Sequence, residues 1–192
     1  MIDDRSLDGI GWARFSDDRR MRYRLTRALT PHEGIAVARV VFVMLNPSTA
    51  DAFKLDNTVS RCCEFARRWG ADIVEVVNLF ALRSTDPDAL YDGARAAPGQ
   101  CGDFSHLWRS DVGADSVNDE QILAACTDAS RVIAAWGNHG ELGDRGEDVR
   151  KLLVGRGVKL EALRFTDSGV PMHPLARGKN FIPYETQPQV WA

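Results

Sequence analysis

Two apolar runs separated by a helical pattern constrain the fold of this chain most strongly. Residues 38–45 read ARVVFVML, and residues 73–80 read IVEVVNLF. Continuous β-branched and apolar runs are typical of strands that are buried on both faces, as in a parallel sheet. Between them, residues 56–69 place apolar side chains at the spacing of an amphipathic helix. The segment therefore predicts a β-α-β unit with a right-handed crossover.

The same alternation of strands and helices continues toward the C-terminus. Apolar runs predict strands at residues 131–136 and 158–165, and periodic apolar positions predict helices at residues 119–129 and 144–155. This order is typical of a sheet that helices cover on both faces. We therefore expect a three-layer α/β/α fold around a central, mainly parallel, four-stranded sheet.

Two further segments differ from this pattern. Residues 12–30 alternate apolar and polar positions around a polar turn, which predicts an N-terminal β-hairpin. Residues 91–118 are rich in Gly, Asp and Ser and predict a long surface excursion. Because the sequence contains no repeat or linker, we expect residues 1–192 to form a single domain.

Charge and composition exclude several classes of protein. The net charge of −3 argues against a histone-like coating of nucleic acid, although not against an enzyme with a local basic patch. No apolar run is long enough to span a membrane, and the N-terminus lacks a signal-peptide pattern, so a cytoplasmic protein is expected. The cysteines form no C-x-x-C pair, which favours buried, reduced thiols over a metal site; they are Cys62, Cys63, Cys101 and Cys126.

Polar residues stand where the predicted strands end. Asn46, Asn78 and Asn138 each follow a different strand, and His173 lies in the last loop. Because ligands of α/β sheets bind at the carboxyl ends of the strands, we expect these side chains to lie close together. The structural alternatives are a turn at Asn46-Pro47, a loop cap at Asn78 and a packed loop at His173.

These residue types favour recognition of a polar ring. The chain has no P-loop, no dinucleotide-binding glycine motif, no nucleophile elbow and no zinc-protease motif. An Asn amide offers a donor and an acceptor, which match the pairing edge of a nucleobase. A neutral His can donate a hydrogen bond to a developing oxyanion.

Four motifs carry a family resemblance. LNPSTAD, VVNLFALRSTDP, AAWG and HPL resemble, in that order, the domain-of-unknown-function family numbered 1643, over roughly residues 12–185. Their order is also similar to that of the uracil-DNA glycosylase superfamily. In that superfamily the first motif positions the attacking water, an Asn at the second strand end reads the flipped base, and a late His stabilises the departing base anion.

The resemblance implies roles for individual residues. Asn46 would position the water, Asn78 would read the base and His173 would stabilise the leaving anion. Phe53 or Phe80 would stack on the base, while Arg83 and Lys179 would contact DNA. Asn stands where the most active branch has Asp, so a nearby acid, Asp51 or Asp56, would assist; we assign Asp51. The structural alternatives are a helix cap for either acid and a core position for Phe53. The arginines of the first predicted helix, Arg61, Arg67 and Arg68, are most simply a solvated helix face.

One departure from the superfamily pattern suggests a substrate. Uracil-specific members carry a bulky Tyr directly after the Pro of the first motif, whereas this chain has Ser48. The smaller side chain leaves room at the 5-position of the base. The expected substrate is therefore a 5-modified pyrimidine, with hydroxymethylated or glucosylated phage cytosine as the leading candidate.

The function expected from the sequence is that of a monofunctional DNA glycosylase. It would act on a flipped base of duplex DNA as a monomer, without metal or cofactor, leave an abasic site and serve in anti-phage defence. The alternatives are an enzyme of another class that acts on nucleotides or nucleosides, and a non-catalytic base-binding module.

Overall fold

The computed structural model describes residues 1–30, 37–91 and 106–192. The strands are β1 (Ile2–Arg5), β2 (Gly11–Phe15), β3 (Arg22–Ala28), β4 (Arg39–Met44), β5 (Ile73–Asn78), β6 (Arg131–Ala134), β7 (Leu160–Ala162) and β8 (Gln189–Val190). The α-helices are α1 (Asn57–Arg68), α2 (His106–Asp111), α3 (Ser116–Cys126) and α4 (Arg145–Val154). Short 3₁₀ helices are formed by Pro87–Leu90, Asn138–Asp144 and Gly178–Asn180.

The eight strands of the described residues belong to one mixed sheet, in the order β1-β2-β3-β5-β4-β6-β7-β8. The pairs β5–β4, β4–β6 and β6–β7 are parallel. The other four pairs are antiparallel, so the sheet as a whole is mainly antiparallel. The predicted α/β character is confirmed.

The sheet is larger than the four strands predicted from the sequence. The hairpin of β2 and β3 forms, but β3 also pairs antiparallel with β5, so the hairpin belongs to the sheet. Strands β1 and β8, which the sequence did not predict, extend the two edges. The physical reason lies in the alternation of β2, whose inward residues Ala13 and Phe15 are buried only if a sheet continues beside them.

Apolar side chains cover both faces of the sheet. Along β4, Phe42 and Met44 pack in the same cluster as Cys62 and Phe65 of α1. The intervening β4 residues face the opposite cluster, which includes apolar residues of α3 and α4; these β4 residues are Val41 and Val43. The period-two alternation of a strand therefore accounts for a continuous apolar run, because each face meets its own helices.

Helix α1 begins and ends close to its predicted limits. The Asp56 carboxylate accepts a hydrogen bond from the Val59 N–H at 2.8 Å and caps the first turn. Arg67 and Arg68 lie in the last turn, where positive charge complements the helix dipole. Cys62 and Cys63 of this helix are buried free thiols, as is Cys126 of α3; Cys101 lies outside the described residues.

The predicted excursion over residues 91–118 is only partly described, because residues 92–105 lie outside the described residues. Its second half is not irregular, since it contains α2 and the start of α3. Trp108 and Val112 are buried against the sheet cluster that contains Phe80. These apolar side chains anchor the described part of the segment, residues 106–118, to the sheet. No helix within the described ranges has the length and apolar character needed to cross a membrane.

Candidate functional site

A cavity of about 500 Å³ opens at the carboxyl ends of the central strands. We call it the central cavity. Its polar lining comes from the ends of β4, β5 and β6, from the start of β3 and α1, and from the loop after β7. The principal polar residues are Arg22, Asn46, Ser48, Asp56, Asn78, Asn138, His139, His173 and Asn180. The strand-end residues that the sequence placed together do line one cavity.

Asn46 reaches the cavity because parallel pairing aligns the ends of β4 and β5. Met44 lies opposite Asn78 in the register, and the Phe80 N–H donates to the Leu45 carbonyl at 3.0 Å. The Asn46 Nδ2 donates to the Ser84 carbonyl at 2.9 Å. This bond leaves the acceptor Oδ1 as the free end of the amide within the described residues. Asn46 can therefore accept a hydrogen bond from a ligand or a water.

The backbone carbonyl of Asn78 is hydrogen-bonded, whereas its side-chain Nδ2 has no partner among the described residues. Its side chain and backbone together are only 1% exposed. The Asn118 Nδ2 donates to the Asn78 carbonyl at 3.0 Å, which fixes the end of β5. Within the described part of the chain, the Asn78 Nδ2 has no hydrogen-bond partner. A buried donor of this kind is costly unless a ligand or water satisfies it, so Asn78 is suited to binding.

His173 is presented by the loop that follows β7. The Gly137 N–H donates to the Pro171 carbonyl at 2.9 Å and joins this loop to the end of β6. The His173 Nδ1 accepts the Leu175 N–H at 3.1 Å, so the proton of the neutral ring lies on Nε2. Burial lowers the pKa of His173 to about 4. The imidazole is therefore a neutral donor at neutral pH.

Of the two candidate acids, Asp56 lines the central cavity, whereas Asp51, the acid assigned from the sequence, is not among the lining residues. The Asp51 carboxylate accepts the N–H groups of Phe53 and Lys54 at 2.8 and 2.9 Å and stabilises a turn outside the central cavity. Asp56 lines the cavity while it caps α1. The sequence did contain a signal for the position of Asp56. This residue directly precedes a predicted helix, and the N-terminus of that helix in a β-α-β unit lies at the carboxyl ends of the strands.

Neither of the predicted stacking residues lines the central cavity. Phe80 is fully buried on the α3 side of the sheet and packs edge-on against Trp108, with ring centroids 5.9 Å apart. Phe53 is 66% exposed and lines a separate cavity beside Gly11. The chain turns after Asn78 at the end of β5, which carries Phe80 to the opposite face. Trp136, which directly follows the buried β6 run, does line the cavity.

The two predicted DNA contacts lie at the rim. Arg83 lines a shallow groove with Arg19 and Arg20, and this groove shares Ser48 with the central cavity. The Arg83 guanidinium lies over the Phe15 ring at 5.1 Å from its centroid. Lys179 is exposed in the last 3₁₀ helix, and the next residue lines the cavity. The rim is therefore basic on two sides, although the chain as a whole is acidic.

Sequence reasoning missed Arg22. It stands in the alternating stretch Met21-Arg22-Tyr23-Arg24-Leu25, where an arginine at the start of a strand is typical of a solvated position. The structure buries it to 2% exposure and places it in the cavity lining. No signal in the sequence distinguishes it from Arg24.

The lining can hold a polar ring, a water and a developing negative charge. Asn78 and His173 supply donors, while Asn46 and Asp56 supply acceptors. Among the residues that the structure describes, no group of three or more His, Cys, Asp or Glu side chains could hold a metal ion.

Comparison with known proteins adds one finding. A family model described as "Protein of unknown function (DUF1643)" matches residues 22–175, which include every strand-end residue of the central cavity. No curated protein and no solved structure matches the chain.

Proposed function

The chain belongs to the DUF1643 family, and from that premise we propose that it is a DNA glycosylase whose central cavity binds a flipped base. The observation that carries the proposal is that two donors and two acceptors line one cavity, and that one of the donors, the Asn78 Nδ2, is buried without a partner among the described residues. Asn78 and the neutral His173 provide the donors, and Asn46 and Asp56 provide the acceptors. A cavity of about 500 Å³ lies within the size range of small-ligand sites.

The proposed reaction is hydrolysis of the N-glycosidic bond. The water oxygen forms a bond to C1′ of the sugar, and the C1′–N bond breaks with its electron pair on the base. Asn46 orients the water, and the Asp56 carboxylate accepts its proton. The His173 Nε2–H donates a hydrogen bond to the base oxygen on which negative charge develops. A neutral imidazole is suited to this role because it keeps its proton while it donates.

The proposed substrate is a 5-modified pyrimidine in duplex DNA, with hydroxymethylated or glucosylated cytosine as the leading candidate. Ser48 contributes a small side chain to the cavity lining. Extraction of the base from the stack costs a few kcal/mol, which backbone contacts must offset. Arg83 and Lys179 at the rim are the proposed phosphate contacts. Anti-phage defence is the proposed context, by analogy alone.

Two other functions have specific support. The negative net charge favours an enzyme that acts on free nucleotides or nucleosides, since such ligands need no basic surface. A non-catalytic base-binding module is favoured by Asn46, an amide in the place where the strongest catalysts of the similar superfamily carry an acid. Both alternatives would use the same cavity.

The test is an excision assay on oligonucleotides that contain uracil, 5-hydroxymethylcytosine or glucosylated 5-hydroxymethylcytosine. Abasic sites are revealed by alkaline cleavage of the strand. We expect excision of at least one 5-modified base, with a loss of about 10²–10³-fold in Asn46→Ala and His173→Ala. Inactivity on all three substrates would contradict the glycosylase proposal.

A matched pair of acids sharpens this experiment. Asp56→Asn should lower the excision rate, whereas Asp51→Asn should retain it because Asp51 lies outside the central cavity. Both substitutions keep the size of the side chain, so thermal melting shows whether a loss of rate reflects a loss of folded protein. The opposite pattern would restore the sequence-based assignment of Asp51.

A further inference from the structure

Arg22 is a buried charge of the central cavity, and it has no ionic partner among the described residues. Its guanidinium makes one hydrogen bond within the described ranges, from Nη1 to the Ala50 carbonyl at 2.7 Å. Its Nε is buried and has no partner there. No carboxylate of the described residues lies within ion-pair distance, which makes the residue unusual because buried charges are ordinarily paired.

A second buried arginine on the same strand shows the contrast. Arg27 is 5% exposed and also reaches the loop after β4. Its Nη1 donates to the Ala52 carbonyl at 2.9 Å, and its Nη2 donates to the Asp51 carbonyl. Arg27 lines the separate cavity beside Phe53. The hydrogen bonds of Arg27 to the loop after β4 account for its burial. Arg22 makes a single bond to the same loop, so most of its hydrogen-bonding capacity is unused within the described ranges.

Arg22 stays charged in spite of its burial. Desolvation lowers the pKa of its guanidinium to about 10, which is still far above neutral pH. Asp56, in the lining of the same cavity, opposes this shift from beyond ion-pair distance. The cavity therefore contains a permanent positive charge that no carboxylate of the described residues contacts.

The unused donors of Arg22 and Asn78 belong to the same end of the cavity. They lie on the adjacent strands β3 and β5, near the end where Leu25 pairs with Val76. Both side chains line the cavity, and each has a buried nitrogen without a partner in the described structure. The loop that carries Ser48 also lies there, since the Ala50 carbonyl accepts the Arg22 bond. Two donors beside one positive charge favour binding of an anionic acceptor, because charge-assisted hydrogen bonds are the stronger ones.

We propose that Arg22 and Asn78 bind an anionic oxygen group of the ligand, either a carboxylate on the base or a phosphate of a nucleotide. This inference rests on the proposed function. If the ligand is a flipped pyrimidine, the anionic group is a carboxylate at the 5-position of the base, on the side of Ser48. The proposed substrate class is thereby narrowed: among 5-modified pyrimidines, an acidic 5-substituent is bound ahead of the uncharged hydroxymethyl and glucosyl groups, and it replaces them as the leading candidate.

The experiment measures binding by calorimetry, independently of catalysis. The probes are two matched pairs: 5-carboxyuracil against 5-hydroxymethyluracil, and uridine 5′-monophosphate against uridine. We expect the wild-type protein to bind 5-carboxyuracil about 10- to 100-fold more tightly than its neutral partner. Arg22→Met should abolish this preference, and Arg22→Lys should keep part of it. Arg27→Met, the matched control, should keep all of it.

The outcomes separate the inference from the proposed function. A wild-type protein with no preference for either anion, or a preference that survives Arg22→Met, would overturn the inference. An Arg22-dependent preference for the monophosphate would support the anion site and identify the anion as phosphate. An Arg22-dependent preference without excision of any oligonucleotide would support the inference while the glycosylase proposal fails.

A second variant covers the case in which Arg22→Met does not fold. Asn78→Asp is nearly isosteric and adds a negative charge at the same end of the cavity. We expect it to reduce the preference for 5-carboxyuracil about 10-fold or more, because the added carboxylate competes with that of the ligand. An unchanged preference in folded Asn78→Asp would count against the proposed anion site.

Discussion

Glu75 and Asn78 stand three residues apart on β5, and both are 1% exposed, yet their surroundings differ in kind. Glu75 lies on the α3 side, where it forms ion pairs with Arg24 and Arg39. Asn78 lines the central cavity on the other side, and its Nδ2 has no partner among the described residues. Burial alone therefore does not mark a functional polar residue. What distinguishes Asn78 is that a donor without a partner in the described structure also lines a cavity, where a ligand can satisfy it.

The strongest test of this contrast is removal of the paired carboxylate. Glu75→Gln leaves Arg24 and Arg39 without their counter-charge and should lower the free energy of unfolding by about 3 kcal/mol. Urea denaturation measures the change. The control is Glu64→Gln, at an exposed carboxylate that pairs with Arg67 and Arg68, where a loss below about 1 kcal/mol is expected. Equal losses of unfolding free energy in the two variants would show that the buried ion pairs of Glu75 contribute no more than the exposed pairs of Glu64.

The second test removes the unpaired amide. Asn78→Ala should lower the proposed excision rate about 10²–10³-fold with little loss of stability, because no hydrogen bond of the described protein is broken. The matched control is Asn118→Ala. The buried Asn118 amide donates to the carbonyls of Asn78 and Leu79, both at 3.0 Å, and its loss should cost about 2 kcal/mol of unfolding free energy. A strongly destabilised Asn78→Ala would assign Asn78 to the structural class.

The third test uses pH, since His173 has one nitrogen that accepts the Leu175 N–H and one with no partner among the described residues. Burial lowers its pKa to about 4 in the folded protein, against 6.5 for the exposed group. The unfolded chain therefore takes up the proton first as pH falls. The contribution of neutral His173 to stability is complete above pH 6.5 and is lost as pH falls toward 4, by at most about 2 kcal/mol at pH 5.

This pH effect is measured by urea denaturation at pH 7 and pH 5. His173→Gln removes the titrating group, so the difference between the two pH values should shrink in the variant. An undiminished difference would show that other groups cause it, and that the His173 ring is solvated in the folded protein.

The smallest expected effect belongs to the rim. Lys179→Ala should weaken binding to duplex DNA uniformly across sequences and reduce the slope of log affinity against log salt by about 1. Fluorescence anisotropy at several salt concentrations provides the measurement. Lys159→Ala serves as the control, because Lys159 is exposed near the amino ends of β6 and β7. Equal slopes in wild type and Lys179→Ala would show that Lys179 does not contact a DNA phosphate, either because DNA binds at another surface or because the protein does not bind DNA.

The polar strand ends were predictable because parallel strands bring their carboxyl ends to one edge. Asn46, Asn78 and His173 were placed together on that ground, and they do line one cavity. The stacking residues were not predictable in the same way. The position of the Phe80 side chain depends on how the chain turns after β5. The position of the Phe53 side chain depends on a turn that Asp51 stabilises. The chemical roles of all these residues remain predictions.

By itself the sequence determined the β-α-β core, the limits of α1 and the edge of the sheet that carries polar groups. These follow from periodicity and from local rules such as capping, which act within a few residues. Only the tertiary structure decided that Arg22 is buried while Arg24 pairs with Glu75, and that Asp56 rather than Asp51 enters the cavity. The reason is that burial and charge pairing depend on residues far apart in the chain, which local patterns do not record.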